Sequence, residues 1–491
     1  MSETEFTADV VVVGAGPTGL LLAGDLAAAG LRVTVLEKRA EESNLTRAFG
    51  VHARTLELLD ARGLADELIA TGRPTPSLQV FGRLRVDLAG LPSRFPFVLI
   101  TPQSHTERVL RERAVKSGAD LRRGAELTGL RQDATGVTLT ARTADGEQLH
   151  RARYAVGADG VHSAVRDLLG VPFPGEAVLR SVMLADVRLT GDPDESFTAA
   201  VGDAGFAFLA PFGDGWFRVV GWDREHQLPD TAPVVTADLE ALLREVTGRD
   251  LEFAEVRWTS RFHSDERQVA SYRSGRVFLA GDAAHCHSPA GGQGMNTGIQ
   301  DAANLSWKLV AAVRGWAPDA LLDTYQTERH PVGRAVLRSS GALVRLAQGR
   351  HAPVRALRSA LGAAAGHLGP LAELGAKQVS GIGYAYPAEK GAHPLTGRRV
   401  PDLRLAVDVP GGPSRLHEAL RAGKAVLISN DEVSVADSWA DRVVTAAPAD
   451  PHGKLRDTVL LVRPDGHAAW ACADPTRGEL REALGRWLGR P

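Results

Sequence analysis

The chain has 491 residues, of which 44% are hydrophobic and 24% are charged, and its 57 Lys and Arg nearly balance its 59 Asp and Glu. This length predicts two or three packed domains, because single hydrophobic cores stop growing well below it. The formal net charge of −2 gives no basic surface that would attract nucleic acid or an anionic membrane. We therefore expect a small organic ligand and neither of those partners.

The cysteines and the apolar runs indicate the cellular compartment and whether a membrane segment is expected. Cys286 and Cys472 are far apart and have no CxxC spacing, so we expect neither a disulfide framework nor a cysteine zinc site, and a reducing cytoplasm fits. The most apolar run, residues 10–24, is shorter than a bilayer span and is interrupted by glycines. Acidic residues precede it instead of a basic leader, so we expect no signal peptide and no membrane helix.

The first predicted element is a buried strand. Val10–Val13 is a β-branched run that stops at a glycine, which is typical of a strand covered on both faces in a parallel sheet. A helix is predicted over residues 18–29 and a second strand over residues 32–36, and together they complete a βαβ unit. The chain therefore begins with a nucleotide-binding type of unit.

A glycine motif lies where that strand meets that helix. Gly14, Gly16 and Gly19 form GxGxxG, which lets backbone N–H groups and the helix N-terminus approach a pyrophosphate. Glu37 follows at about the 20-residue offset of the acidic residue that accepts ribose hydroxyls. The combination predicts a dinucleotide without a 2′-phosphate, such as FAD or NAD. The alternative is a turn without a nucleotide and a solvated Glu37.

A second group of residues indicates a flavin. A buried strand over residues 276–280 ends at Gly281 and Asp282, where a carboxylate can accept hydrogen bonds from a polyol such as a ribityl chain. The glycine-rich residues 289–296 follow, and an amphipathic helix is predicted over residues 304–314. Glycines let the backbone pass against a flat ring, and a helix N-terminus favours negative charge on it. The alternative is an ordinary strand–turn–helix connection.

A metal site beside Asp282 is conceivable but disfavoured. His285, Cys286 and His287 are adjacent, but we expect the two histidines to point to opposite sides of an extended segment, so packing and turn hydrogen bonds are the expected roles. No nucleophile elbow occurs, and no Ser/His/Asp arrangement can be assigned from spacing. We predict no metal.

Changes in composition along the rest of the chain predict further domains. Residues 78–97 and 178–261 are rich in Phe, Trp and alternating runs such as 216–220, which predicts an inserted sheet domain. Strands at 425–428 and 458–462 and a terminal helix at 477–488 predict a small α/β domain. The predicted organisation is an FAD-binding domain at 1–77, 98–177 and 262–350, a substrate-binding sheet domain at 78–97 and 178–261, a helical linker at 351–393 and a C-terminal domain at 394–491.

Three segments resemble known fingerprints. Residues 12–19, 156–166 and 281–285 are similar to those of the single-component flavoprotein aromatic hydroxylases, which have the para-hydroxybenzoate hydroxylase fold. The similarity continues through residues 289–296 and into the tail at 461–466, so it covers nearly the whole chain. The most similar branch includes phenol hydroxylase and the hydroxylases of aromatic polyketides such as angucyclines and anthracyclines. It implies an α/β fold in which a Rossmann-like FAD-binding domain carries an inserted β-sheet substrate domain and a C-terminal thioredoxin-like domain without redox cysteines.

The resemblance also implies roles for residues. Glu37 is expected at the adenosine ribose, Arg47 and Gln103 near the pyrophosphate and ribityl region, and Asp282 at the ribityl–phosphate end. The full FAD-binding set is Gly14, Gly16, Gly19, Glu37, Lys38, Arg47, Gln103, Asp159, Asp282, Pro289, Gly292, Gly294, Met295 and Asn296, with the last three at the isoalloxazine. Asp159 and Arg166 belong to the second fingerprint, with a turn carboxylate and a surface cation as the alternatives. Arg108 is either a cofactor contact or a partner of Glu107.

Candidates for the substrate pocket are aromatic or basic residues of the inserted domain and its surroundings, each with core or surface as the alternative. They are Arg83, Trp216, Trp222, Tyr272 and His226. No side chain is predicted as a catalyst, because in this family the flavin carries the chemistry.

The resemblance implies a monooxygenase. NADPH or NADH would reduce FAD, O2 would give a C4a-hydroperoxyflavin, and oxygen would pass to an electron-rich ring, or into a ketone by Baeyer–Villiger-type insertion. A polycyclic aromatic polyketide is the expected substrate, and a monomer or homodimer is the expected assembly. Alternatives are an enzyme that inactivates an antibiotic of the rifamycin or tetracycline type, or a flavin-binding protein without catalysis.

Overall fold

The computed structural model describes residues 5–42, 48–80, 84–190, 197–316, 319–349, 351–354, 356, 369–407, 410–431, 433–453 and 455–491. The α-helices are α1 (Pro17–Ala28), α2 (Ala53–Asp60), α3 (Ala65–Ile69), α4 (Gln103–Lys116), α5 (Ala164–Leu168), α6 (Thr236–Thr247), α7 (Gly294–Val313), α8 (Asp319–Gln348), α9 (Gly369–Val379), α10 (Leu416–Leu420) and α11 (Arg477–Leu488), and short 3₁₀ helices span Gly281–Ala283 and Ser434–Trp439. The strands are β1 (Val10–Val13), β2 (Val33–Glu37), β3 (Gly50–Val51), β4 (Arg73–Thr75), β5 (Ser77–Val80), β6 (Leu84–Asp87), β7 (Val98–Ile100), β8 (Asp120–Arg123), β9 (Glu126–Gln132), β10 (Val137–Thr143), β11 (Gly146–Ala152), β12 (Tyr154–Gly157), β13 (Gly175–Leu189), β14 (Thr198–Val201), β15 (Gly205–Pro211), β16 (Phe217–Asp223), β17 (Phe253–Gln268), β18 (Arg273–Ser274), β19 (Val277–Leu279), β20 (His285–Cys286), β21 (Ala425–Ile428), β22 (Val443–Ala446), β23 (Thr458–Val462) and β24 (Ala468–Ala473).

A mostly parallel sheet forms the first domain. Its six strands run in the order β18-β19-β12-β1-β2-β8, and β1 pairs in parallel with both β2 and β12. The four valines of β1 are buried, because α1 and the antiparallel sheet of β9, β10 and β11 both contact this region. The predicted βαβ unit is confirmed, with boundaries shifted by one residue.

The inserted domain is an eight-stranded sheet with two different faces. Its strand order is β20-β17-β13-β16-β15-β14-β5-β6. Side chains alternate between the faces of each strand, and α6 covers the outer face through Leu239, Leu242 and Leu243. The inner face points towards the first domain. The sheet exceeds its predicted boundaries, since β13 begins at Gly175, β17 ends at Gln268, and β20 joins it from the segment after Asp282.

The C-terminal domain has the thioredoxin strand order. The sheet runs β22-β21-β23-β24, with β21 parallel to β22 and β23 antiparallel to both of its neighbours. The predicted strands at 425–428 and 458–462 and the helix at 477–488 are confirmed at those bounds. A capping box starts α11, in which Thr476 and Glu479 exchange hydrogen bonds, and this fixes the predicted N-terminus.

The predicted helical linker is described in part. Helix α9 falls within it, while residues 355 and 357–368 lie outside the described residues. Among the described residues, no helix combines the length and the apolar character needed to cross a membrane.

A buried ion network joins the C-terminal domain to the first domain. Arg463 donates to Glu328 at 2.7 and 2.9 Å and to Asp465 Oδ1 at 3.0 Å. Lys308 Nζ donates to Glu328 Oε2 at 2.8 Å, and all four side chains are at most 6% exposed. Burial acts to raise the pKa of Glu328, but Arg463 and Lys308 outweigh it and lower the pKa to about 2. The docking of the domain therefore depends on buried charge that is fully paired.

Replacing Arg463 should loosen this docking. Arg463→Met leaves Glu328 and Asp465 buried with fewer cationic partners, and breaking a buried ion pair in this way costs about 3–5 kcal/mol. Urea unfolding followed by circular dichroism measures the loss in free energy of unfolding. Arg486→Met is the control, because Arg486 pairs with Glu389 on the surface, with side chains 59% and 71% exposed, and should change it by at most about 0.5 kcal/mol. Equal effects of the two variants would contradict the assignment.

Acid should weaken the same network. The pKa of Glu328 is about 2 in the fold and has an ordinary value of 4.5, so the unfolded chain binds more protons between these values. Stability contributed by Glu328 is present above pH 4.5 and is lost as the pH falls towards 2. Glu328→Gln should show a shallower fall in free energy of unfolding across this window, measured by urea titration at a series of pH values. Parallel profiles would argue against the ion pair.

Candidate active site

A cavity of about 640 Å³ lies where the first domain meets the inner face of the inserted sheet. Its lining joins the predicted cofactor residues to apolar side chains of the sheet. It includes Gly14, Gly16, Glu37, Lys38, Gln103, Asp159, Asp282, Pro289, Gly292, Gly294 and Met295 together with Phe49, Leu184, Phe208, Val220, Phe262, Ser264, Cys286 and His287. Most of the predicted cofactor set is therefore brought to one place.

The glycine motif leaves the N-terminus of α1 open. Gly14 has φ +101°, and a Cβ there would lie 2.4 Å from Ala158 O, so this position requires glycine. A Cβ on Gly16 would meet nothing within 4 Å, whereas one on Gly19 would lie 2.1 Å from Gly14 O. Gly19 does not line the cavity but lets α1 start against the loop. No side chain caps α1, so its first N–H groups are available to a phosphate.

Glu37 lies at the end of β2, beside this loop. Its Oε2 accepts the Ala15 N–H at 2.8 Å, and its Oε1 accepts the Arg39 backbone N–H and Nε–H, both at 2.9 Å. Burial acts to raise the pKa of Glu37, but these hydrogen bonds outweigh it and lower the pKa. The carboxylate is therefore charged, held in place and in reach of a ribose in the cavity.

The second fingerprint forms a tight turn. Asp159 accepts a hydrogen bond from the Ser163 hydroxyl at 2.5 Å and from the Val165 N–H at 3.1 Å, and burial raises its pKa. Arg166 is buried, lies 4.1 Å from the centre of the Phe173 ring and donates to Val161 O at 2.9 Å. Arg166 therefore braces the turn and is not a surface cation.

A buried carboxylate fixes the turn that carries Asp282. Asp301 Oδ2 accepts the Gly281 N–H at 3.1 Å and lies 2.7 Å from His285 Nε2, while its Oδ1 accepts the Arg329 Nε–H at 2.7 Å. Burial acts to raise the pKa of Asp301, but Arg329 and His285 outweigh it and lower the pKa. Asp282 is exposed into the cavity next to this anchor.

The glycine loop before α7 is tied down by Asn296. Its Oδ1 accepts the His52 N–H at 2.9 Å, and its Nδ2 donates to Gly50 O at 2.9 Å and to Gly292 O at 2.8 Å. Asn296 thus supports the cavity from behind instead of lining it as predicted. Gly294 and Met295 line the cavity at the start of α7, which has no side-chain cap. A positive helix end is therefore available to an anionic ring.

Sequence reasoning missed the apolar wall of the cavity. Leu184, Val220 and Phe208 oppose one another on adjacent strands, and Phe262 extends the wall along β17. Aromatic rings continue from it, with centroids 5.3 Å apart between Phe206 and Phe208. Alternation in residues 206–208 was a usable signal, but selecting the inner face required the strand register.

The structure does not bring Trp216 or Trp222 to the cavity. Trp222 shares the inner face but lies one row further, stacked on Phe206 at 5.4 Å and packed in a cluster with Val344. The Trp216 ring lies 3.9 Å from the Arg257 guanidinium and packs in the core. Both indoles therefore pack outside the lining of the cavity.

The other candidates are also placed elsewhere. Tyr272 is fully buried beside His285, and His226 is exposed and paired with Asp223. Arg47 and Arg83 lie outside the described residues. Arg108 pairs with Glu67 and Glu112 instead of Glu107.

The expectation that His285 and His287 point to opposite sides is wrong. Their rings stack, 6.3 Å apart and within 7° of parallel, because residues two apart in an extended segment share a side. His285 is bonded to Asp301. Among the described residues, Asp60, Asp402 and His417 have metal-like spacing, but Arg415 already pairs with both carboxylates.

Comparisons with known proteins agree with this geometry. The family model described as FAD binding domain matches residues 7–340, and that described as aromatic-ring hydroxylase, C-terminal, matches residues 393–491. A rifampicin monooxygenase from Streptomyces venezuelae is 42% identical over 98% of each chain. Two solved structures have TM-scores of 0.87: OxyS, an anhydrotetracycline hydroxylase from Streptomyces rimosus, at 39% identity and 99% coverage of each chain, and CabE, an aromatic hydroxylase from angucycline biosynthesis, at 38% identity and coverage of 98% of this chain and 99% of that one. The chain belongs to the FAD-dependent aromatic-ring hydroxylases and is a flavin monooxygenase that uses NAD(P)H and O2.

Proposed function

We propose that this enzyme hydroxylates a polycyclic aromatic polyketide. The observation that carries the proposal is the apolar wall of Leu184, Phe208, Val220 and Phe262, which shares one cavity with the glycine motif and Asp282. A sheet face presents such side chains as a broad, shallow surface, and aromatic rings favour offset stacking with flat ligands. A flat, multi-ring substrate suits this wall better than a small phenol.

We further propose how the chain holds FAD. The pyrophosphate binds at Gly14, Gly16 and the N-terminus of α1, the adenosine ribose binds at Glu37, and the ribityl chain binds at Asp282. FAD supplies the oxygen-transferring chemistry once NADPH or NADH has reduced it and O2 is present.

The chain itself contributes position and exclusion of water. The N-terminus of α7, at Gly294 and Met295, favours negative charge on a ring placed against it. The apolar wall keeps the substrate face of the cavity dry, which protects reactive species from hydrolysis. The flavin carries the chemistry, so the described side chains need supply no acid–base step.

The relatives support a substrate of this size. OxyS is named for anhydrotetracycline and CabE for angucycline biosynthesis. The 42% identity to a rifampicin monooxygenase supports a second candidate, oxygenation of a rifamycin. Both candidates use the same cavity.

Turnover with a substrate panel tests the proposal. Oxidation of NADPH and NADH by the FAD-loaded enzyme should accelerate with anhydrotetracycline or a benz[a]anthraquinone, and ¹⁸O2 should place one labelled hydroxyl on the ring, as mass spectrometry would detect. Labelled oxygen in rifampicin alone would favour the second candidate, and a lactone product would show Baeyer–Villiger insertion. If no compound is oxygenated while NAD(P)H oxidation stays at its basal rate, the proposal fails.

The apolar wall can be tested on the substrate that the panel identifies. Phe208→Ala should raise KM about tenfold, because it removes an aromatic contact and the area that it buries. FAD content should not change. Leu228→Ala is the control, because Leu228 is 45% exposed and does not line the cavity, and an equal rise in KM there would contradict the role of the wall.

Asp282→Ala should weaken FAD binding about ten- to hundredfold, because a hydrogen bond to a charged acceptor contributes about 1.5–3 kcal/mol. Fluorescence titration of the apoprotein with FAD measures the Kd. Asp120→Ala is the control, since Asp120 is exposed on β8 and does not line the cavity. An unchanged Kd in Asp282→Ala would remove Asp282 from the cofactor site.

A further inference from the structure

Two polar atoms on the cavity wall have no hydrogen-bond partner among the described residues. One is Ser264 Oγ, on a residue that is 5% exposed, and the other is His287 Nε2. Both residues line the cavity. Buried polar groups in folded proteins are almost always hydrogen-bonded, so each of these two buried atoms lacks a partner that a molecule bound in the cavity could supply.

The His287 imidazole is an acceptor at Nε2. Its Nδ1 lies 3.2 Å from Ser288 O, and a carbonyl oxygen only accepts, so Nδ1 carries the hydrogen. Burial, with a smaller contribution from His285, lowers the pKa of His287 to about 4, so the ring is neutral near pH 7. Nε2 therefore presents a lone pair, while the Ser264 hydroxyl can both donate and accept.

The two groups lie along the same stretch of wall. β17 and β20 are antiparallel and pair Arg267 with Cys286, so the chain after Cys286 continues beside β17 towards Ser264. The ring edge of His287 faces the start of α7, because a Cβ on Gly294 would lie 3.7 Å from Cε1 and 4.0 Å from Nε2. Ser264 follows Phe262 on the inner face, two residues along β17.

We propose that Ser264 and His287 form a donor–acceptor pair that orients a hydroxyl-bearing aromatic substrate. The substrate O–H donates to His287 Nε2, and the Ser264 O–H donates to an oxygen of the same molecule. The aromatic nature of this ligand rests on the proposed function. The pair fixes the rotation of the flat ring against the apolar wall, and so it determines which ring carbon faces the glycine loop.

A matched pair of probes tests the pairing by binding alone. The FAD-loaded protein, without NAD(P)H, is titrated with 2-hydroxyanthraquinone and 2-methoxyanthraquinone, which differ in one O–H donor. Wild type should bind the hydroxyl compound about five- to tenfold more tightly, because one hydrogen bond is lost and a buried acceptor stays unpaired with the ether. His287→Phe should bind both equally, and His287→Asn, which keeps an acceptor, should retain part of the preference. Ser264→Ala should weaken binding of both probes, and Ser264→Thr should restore it.

His150→Phe is the control for His287→Phe. His150 on β11 also has a buried Nε2 without a described partner, but it does not line the cavity, so this variant should keep the wild-type preference. Equal affinity of wild type for the two probes, or an unchanged preference in His287→Phe, overturns the inference. A fall in FAD affinity in His287→Phe with an unchanged probe ratio also overturns it and assigns Nε2 to the cofactor. Failure of the proposed function would instead appear as absent oxygenation, which the probe ratio does not depend on.

Discussion

The buried carboxylate of Asp301 is the interaction on which the site depends. It binds the Gly281 N–H, His285 and Arg329 at once, and these belong to the turn before Asp282, to strand β20 of the inserted sheet and to helix α8. A buried charge that loses a partner costs several kcal/mol, so the three elements are held in one arrangement. Asp282, in that turn, and Cys286, on β20, both line the cavity, so this constraint helps to set the shape of the cavity.

The contact between α7 and α8 contains a row of polar and charged side chains. Asp301, Asn304 and Lys308 lie on one side of α7, at spacings of three and four residues that share a helix face. They meet Glu328 and Arg329, which are consecutive on α8. Arg329 connects to the active site, and Glu328 connects to Arg463 of the C-terminal domain. Two consecutive residues of α8, Glu328 and Arg329, therefore link the docking of the C-terminal domain to the loop that presents Asp282.

The features that were predictable from sequence are local ones. The glycine motif, the strand ends at Glu37 and Asp282, and the elements of the C-terminal domain follow from periodicity and turn residues within a few positions. The buried networks do not, because Glu328 and Arg463 are 135 residues apart. No pattern in either segment indicates the other.

The apolar wall could not be predicted from any single strand, because its side chains come from several paired strands. Trp222 is an aromatic residue of the kind expected to contact a substrate. It lies one row beyond Val220 on the same face, however, and packs against Phe206. Likewise, the sequence predicts only packing and turn hydrogen bonds for His287, whereas its surroundings in the fold make its Nε2 a neutral acceptor. In both cases the residue type indicated which contacts the side chain can make. Whether the side chain reaches the cavity depended on the pairing register of the strands.

That register has an identifiable cause. Asp186 and Arg218 are directly opposed on β13 and β16, and the guanidinium binds both carboxylate oxygens at 2.7 and 2.8 Å. They lie on the inner face, in the row next to Leu184 and Val220. A slip of one residue would move every side chain of one strand to the other face, and it would place one of these charges against the leucines of α6. The bidentate pair therefore favours a single register, and that register turns Leu184, Val220 and Phe208 towards the cavity as an uncharged surface for an aromatic ligand.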